Sequence, residues 1–276
     1  MKTVNSTYSI ITGASQGLGK SFAKELASQG RNVLLVSKRN ENLEALSKGI
    51  HKRYGVQSKF YELDLTDFQQ FDEFTGWVNK HFSIDLLINN AGMGGTVSFE
   101  NCSTEYLNKL IQLNVRVIPL LTHKLLPNLK KNSNPSFILN VSSMAAFCPM
   151  AYKSIYPATK KFIQHFSEGL NHELNDYNIK VATVFPGPMM TNPDVSYRIE
   201  KQGFLAKLSL QSTEEVARSS LMKLYKGKSI IIVGILNKFN RMLMQIIPNG
   251  LLIPMVSNVL KKELGTKNLI HDIALQ

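Results

Sequence analysis

Two stretches of the chain set a tyrosine four residues before a lysine: Tyr156 and Lys160 in SIYPATKK, Tyr197 and Lys201 in YRIEK. On a helix that interval puts the phenol and the ammonium on one face. A phenol ordinarily titrates near pH 10, and a neighbouring cation favours its ionised form. Such a pair can move a proton to or from a reacting oxygen. Spacing alone does not choose between the pairs; the elements that would hold each one must decide.

Those elements alternate. Short β-rich runs at Tyr8–Thr12, Asn32–Ser37, Ser58–Leu63, Leu86–Asn89, Ser136–Val141, Lys180–Phe185 and Ser229–Val233 are separated by helix-period segments. The helical segments are Leu18–Gln29, Glu41–Tyr54, Phe68–His81, Glu105–Leu126, Ser154–Asp176 and Thr213–Lys226. The last opens with a capping box, Ser212 followed by Glu215. This alternation predicts an α/β fold, a doubly wound parallel sheet of the Rossmann type with about seven strands, whose ligand lies beyond the carboxyl ends of the strands. A single domain over residues 1–276 is expected, with 186–211 as a substrate lid because no element is evident there.

Bulk composition narrows the class. The 276 residues are 43% hydrophobic and 19% charged, ordinary for a globular chain. Cys102 and Cys148 are too few for a disulfide framework and lack metal-ligand spacing, which points to reduced thiols in the cytoplasm and to no metal. The amino terminus reaches a Gly turn before any apolar signal-peptide core can form, so export is not expected. The net charge of +12 suits an anionic cofactor, substrate or membrane surface; its cations are scattered, not gathered in an arm or patch, which argues against nucleic acid.

TGASQGLG, Thr12 to Gly19, leaves the first strand and opens a helix. Gly13, Gly17 and Gly19 let the backbone approach a pyrophosphate, and the helix N-terminus offers N–H donors to it. After the second strand Ser37 is neutral where an NAD site offers a carboxylate, while Lys38 and Arg39 are cations able to grip a 2′-phosphate. NADP(H) is therefore preferred, with NAD(H) the second candidate. Asp64 and Leu65 end the third strand, where the carboxylate can accept from an adenine amino group. NNAG, Asn89 to Gly92, ends the fourth with small residues that allow close backbone contact.

Taken in order, TGASQGLG, NNAG, the LNV holding Asn114, the VSS holding Ser142 and Ser143, YPATK and PGPMMT resemble the short-chain dehydrogenase/reductase family over roughly residues 8 to 191. The resemblance implies a catalytic serine thirteen residues before the tyrosine. That position is Ser143 for Tyr156, but Val184, inside an expected strand, for Tyr197. It implies Tyr156 as acid/base; Lys160 binding the nicotinamide ribose and, with the oxidised nicotinamide, favouring tyrosinate; Ser143 orienting the carbonyl; and Asn114 bending its helix so that a water links Lys160 to solvent. Lowering a phenol pKa by about 3 units corresponds to roughly 4 kcal/mol. The implied cofactor residues are Gly13, Ser15, Gly17, Leu18, Gly19, Lys38, Arg39, Asp64, Leu65, Asn90, Ala91, Gly92, Tyr156, Lys160, Pro186, Gly187, Met189 and Thr191. Pro157 departs from the usual pattern and leaves the start of its helix open.

Residues 242–260 carry no charge, but Pro248, Asn249, Gly250, Pro254 and Asn258 argue against a membrane span. For the tail 234–264, two short amphipathic helices are expected, packing on the lid and active-site mouth or in a dimer, or lying on a membrane surface with Lys238, Arg241, Lys261 and Lys262 toward head groups. The tail and the SKRNENLEAL segment resemble a subgroup near the 3-oxoacyl-coenzyme A reductases and hydroxysteroid dehydrogenases. The chain then reads as a reversible NADP(H)-dependent oxidoreductase acting on an apolar ketone or secondary alcohol, a homodimer or homotetramer through the helices after the fourth and fifth strands. A catalytically silent NADP-binding regulator or membrane-surface scaffold is the alternative.

Overall fold

The computed structural model describes residues 7–39, 42–189 and 210–274, with backbone only beyond residue 261. Thr191, Tyr197, Lys201 and most of the expected lid lie outside the described residues. Seven strands, β1 (Thr7–Thr12), β2 (Asn32–Ser37), β3 (Ser58–Glu62), β4 (Ser83–Asn89), β5 (Ser136–Val141), β6 (Ile179–Phe185) and β7 (Ile230–Ile232), form one sheet in the order β3-β2-β1-β4-β5-β6-β7. Every pairing is parallel. From β1 the order runs one way to β3, and from β4 the other way to β7. The chain therefore leaves a crevice above the carboxyl ends of β1 and β4.

Both faces of the sheet are buried by helices, because neighbouring residues of each central strand point to opposite sides. Ile11, Leu35, Ile88 and Leu139 meet Phe22 and Leu26 of α1 (Gly17–Ser28), Leu43 and Ile50 of α2 (Leu43–Tyr54) and Val216 and Leu221 of α7 (Thr213–Tyr225). Their sequence neighbours Ile10, Leu34, Leu87 and Ile138 pack instead with Phe71, Phe74 and Val78 of α3 (Phe68–His81) and with Leu121 and Leu125 of α5 (Val117–Leu129). Ser212 caps α7 by accepting from Glu215 N–H at 3.1 Å.

Most boundaries fall within one to three residues of the sequence expectation, and three differences bear on the site. β4 starts at Ser83, because Thr7 and Tyr8 of β1 pair with Ser83 and Ile84, and the Asn128 carboxamide accepts the Ile84 N–H at 2.9 Å. The segment expected as one helix at 105–126 is α4 (Thr104–Ile111), a π-helical turn (Gln112–Arg116) and α5. α6 (Ile155–Glu173) begins one residue before Tyr156, so Pro157 falls in the first turn, where its missing N–H costs no helix bond.

After β7 come α8 (Ile235–Ile246) and α9 (Asn249–Ala274). The second is not short: the helix runs through Pro254, which forfeits only the bond to the Gly250 carbonyl. No helix among the described residues is long and apolar enough to cross a membrane.

The turn between β1 and α1 admits only glycine at one point of close approach. A methyl group on Gly19 would stand 2.1 Å from the Gly13 carbonyl oxygen and 2.6 Å from Asn90 Nδ2. Gly19→Ala is expected to lower stability by about 1–3 kcal/mol in urea unfolding, through overpacking. Gly49→Ala in the exposed interior of α2, where a methyl meets no atom within 4 Å, should raise it by about 0.5–1 kcal/mol.

Candidate active site

The carboxyl ends of β1 and β4 are joined by one hydroxyl. Thr12 Oγ1 accepts the N–H groups of Asn90 and Ala91, both at 3.0 Å, and donates to the Ile88 carbonyl at 3.3 Å. In return Asn90 Nδ2 donates to the carbonyls of Thr12 and Gly13 at 2.9 and 3.1 Å. NNAG is thereby stitched to the glycine turn. Gly13 and Gly17 have φ of +64° and +51°, a backbone that side-chain-bearing residues rarely adopt.

This turn fits a dinucleotide diphosphate. The N-cap of α1, Gln16, makes no side-chain cap bond, and the helix has no acidic residue in its first turn. Its first N–H groups thus meet no carboxylate of their own, unlike those of α3, where Asp67 accepts the Gln70 N–H. Gly13, Ser15, Gly17, Leu18 and Gly19 would hold the group, with Leu18 buried as the packing anchor.

At the ends of β2 and β3 the structure joins two residues that the sequence assigned to different jobs. Lys38 Nζ lies 3.0 Å from Asp64 Oδ2, while Arg39 is exposed and Ser37 Oγ donates to Ser15 Oγ at 3.0 Å. Partial burial disfavours the Asp64 carboxylate, but the Thr66 hydroxyl and N–H and the Lys38 ammonium outweigh it and hold the group at about 2. Leu65 beside it is buried.

Lys160 is enclosed, only 5% exposed. Its Nζ donates to the Val141 carbonyl at 3.0 Å and lies 5.7 Å from the Tyr156 ring centroid. Burial pulls its pKa down from 10.5 to about 8. Gly92 lies against the same group, since a methyl there would stand 3.4 Å from Nζ. The two serines of VSS take different directions. Ser142 is buried and donates to the Lys160 carbonyl at 2.8 Å, whereas Ser143 is half-buried and accepts the Ala145 N–H at 3.2 Å, capping the short turn Met144–Phe147.

Asn114 is fully buried in the π-helical turn. Its carboxamide grips Met93 twice, accepting the N–H at 2.9 Å and donating to the carbonyl at 2.8 Å, and donates to Thr159 Oγ1 at 3.2 Å. Thr159 in turn donates to the Tyr156 carbonyl at 2.7 Å. One side chain therefore fixes the loop after β4 to the helix carrying Tyr156 and Lys160. That loop also packs against the phenol: a methyl on Gly94 would come within 2.8 Å of Tyr156 Cε2.

After β6, the buried Pro186 accepts the Met144 N–H through its carbonyl at 3.0 Å, and Met189 forms an isolated bridge with Gln211. Gly187 abuts Asn237 of α8; a methyl there would stand 2.5 Å from Asn237 Nδ2, which itself donates to Gln211 Oε1 at 3.0 Å. Sequence reasoning named neither Thr12 as a stitch nor Gly94, Thr159, Gln211 and Asn237. Thr159 lies between the tyrosine and lysine and Gly94 just after NNAG, so proximity to those motifs was the available signal. Gln211 carried none, and Asn237 only its place in the GILNK stretch that opens the tail.

Residues 7–202 match the family described as short chain dehydrogenase. The chain belongs to that family. A very-long-chain 3-oxoacyl-CoA reductase of Anas platyrhynchos is 30% identical over 185 residues, covering 65% of this chain and 58% of that protein. Hydroxysteroid dehydrogenase-like protein 1 of Gallus gallus is 29% identical over 224 residues, covering 80% of this chain and 66% of that one. The chain thus spans less than two thirds of the length of either. Among solved structures, a short-chain dehydrogenase from Sphingobium yanoikuyae in complex with NADPH superposes with a TM-score of 0.74 at 27% identity, over 88% of this chain and 96% of that one.

The buried ammonium makes stability depend on pH in a defined direction. The unfolded chain holds the Lys160 proton up to about 10.5 and the folded chain only to about 8, so unfolding takes up a proton between these values. Stability of the cofactor-free protein, measured against Lys160→Met, should accordingly rise by about 3 kcal/mol as pH climbs through that window. The comparison is read from chemical unfolding at a series of pH values.

Proposed function

We propose that the chain is an NADP(H)-dependent carbonyl reductase, running also as an alcohol dehydrogenase, with Tyr156 as the acid/base. The observation that carries this reading is the joint placement of Lys160, Tyr156 and Ser143 at the carboxyl edge of β5, with Asn114 locking the loop that faces them. The cofactor supplies hydride. The chain supplies the proton: the Tyr156 hydroxyl donates to the carbonyl oxygen as charge develops on it, and Ser143 orients that oxygen. Lys160, enclosed and 5.7 Å from the phenol ring, favours the tyrosinate left behind and holds a ribose hydroxyl with donors not spent on Val141.

The cofactor choice rests on Arg39, which is exposed at the end of β2, and on Ser37, which offers no carboxylate to a ribose. Lys38 is occupied by Asp64 in the structure, so Arg39 takes the larger share of a 2′-phosphate and Lys38 joins it only by leaving its partner. Asn90, Ala91, Gly92, Pro186, Gly187 and the Met189 N–H would line the rest of the dinucleotide, with Thr191 completing the nicotinamide end.

An apolar substrate is favoured by the lining of the cleft that reaches Tyr156, which includes Val97, Phe99, Leu107, Leu110 and Ile155. The relatives named for very-long-chain 3-oxoacyl-CoA and for hydroxysteroids support the same class. Cys102 and Cys148 are both free, which suits the cytoplasmic setting expected from the sequence. Assembly through α6 would cover Phe162, exposed and stacked on Phe166.

Tyr156→Phe should lower kcat for NADPH-linked reduction of an apolar ketone by about 100-fold or more while leaving the NADPH Kd unchanged. Near-normal turnover by that variant, or tight NADPH binding with no oxidation across a broad carbonyl panel, overturns the assignment. Arg39→Asp should weaken NADPH by about tenfold or more and leave NADH unharmed. An unchanged ratio of the two affinities removes Arg39 from the site.

A further inference from the structure

A surface helix usually turns its apolar stripe to the core. α8 does the reverse. Ile235, Phe239, Met242 and Ile246, at intervals of four, three and four, are 86%, 49%, 48% and 68% exposed, whereas Asn237 is the helix's buried residue. Inward-facing Arg241 lies over the Phe147 ring at 5.1 Å. On α9 the pattern continues: Leu251, Met255 and Val259, four apart, are exposed, and Leu252 and Leu260 are buried. The attachment is firm. Ser257 accepts the Ala151 N–H at 3.0 Å, and Asn237 holds both Gln211 and the Val233 carbonyl. Among the described residues, two anchored helices thus each present an exposed apolar stripe.

Over the stripes themselves, ahead of Glu263 in α9, the sequence carries charge of one sign. From Val216 to Lys262 the sequence contains no Asp, Glu or His, but holds Arg218, Lys223, Lys226, Lys228, Lys238, Arg241, Lys261 and Lys262. Lys226, Lys228, Lys238 and Lys261 are exposed. Lys223 is pushed below its ordinary pKa by burial and by the Lys238 charge, so these two cations from different elements already crowd each other. A second copy docked on the same face would set these cations against a further set of like charges. A bilayer with anionic head groups offers an apolar layer for the stripes and negative charge for the lysines at once.

We propose that the outer face of α8 and α9 is a docking surface for an anionic lipid membrane, on which the helices lie in the interfacial plane without crossing it. Asn237 and Arg241 reach from α8 to Gly187 and Phe147, so docking sets the segments flanking the site close to the bilayer.

The test is flotation of the full chain with phosphatidylcholine vesicles containing phosphatidylserine, beside vesicles of phosphatidylcholine alone. The expected result is recovery with the anionic vesicles that falls steeply with added salt. A Phe239→Glu/Ile246→Glu variant should bind about tenfold or more weakly. Both positions are exposed, so its circular dichroism and thermal unfolding should match the parent. Lys238→Glu should weaken binding to the anionic vesicles. Tyr156→Phe should float as the parent does, which separates this surface from the proposed carbonyl chemistry. The proposal is overturned if the chain stays below the anionic vesicles at low salt, if it floats equally with phosphatidylcholine alone, or if Phe239→Glu/Ile246→Glu floats like the parent. A dimer that the double variant dissociates, with no flotation by the parent, overturns it in favour of a second copy.

Discussion

The Lys160 ammonium is buried, and a buried cation persists only where fixed dipoles face it. The Val141 carbonyl, at the end of a strand paired on both sides, provides one. Holding the lysine there requires α6 to dock at one height against β5, and the Ser142 hydroxyl on the Lys160 carbonyl sets it. It also requires a loop with no side chain in the way, which Gly92 satisfies. Tyr156, one helical turn earlier, has its position dictated by the same docking. The phenol is thus placed by the accommodation of the cation beneath it.

Polar groups that would weaken an apolar interior are used here as joints between elements. Asn89 donates to Asn140, which donates to Ser167, which donates to the Ile163 carbonyl, a chain running from β4 through β5 into α6. Thr12 and Asn90 do the same between β1 and β4, and Asn114 between the π-helical turn, the loop after β4 and α6. Each joint spans segments far apart in sequence. The site is consequently fixed in register with the sheet and not merely attached to its edge.

The alternating apolar runs made the strands legible, and β2 and β5 begin and end where hydrophobicity alone puts them. Ser83 to Asp85 of β4 was hidden because its polar residues are drawn into the sheet by pairing with β1 and by the Asn128 carboxamide. The π-helical turn at Asn114 was invisible to periodicity, since one extra residue per turn leaves the apolar pattern on either side intact. Lys38 and Asp64 looked like independent ligands because only the β2–β3 register, Ser37 opposite Glu62, brings their strand ends together. Pro254 read as a break, yet a proline near the start of a long helix forfeits one bond and leaves the others.

The bridge between Met189 and Gln211, braced by Asn237, has a consequence for how such a protein can change over time. It joins the two ends of the segment that spans residues 190–209 without involving any residue of Asn114, Ser143, Tyr156 or Lys160. With the ends pinned, the conformational cost of a longer intervening segment grows only logarithmically, about 0.6 kcal/mol for each doubling. Insertions between the pins can therefore be sampled by evolution at little cost to the sheet. The bridge makes this stretch one whose length can vary while the seat of Lys160 and Tyr156 on α6 is inherited unchanged.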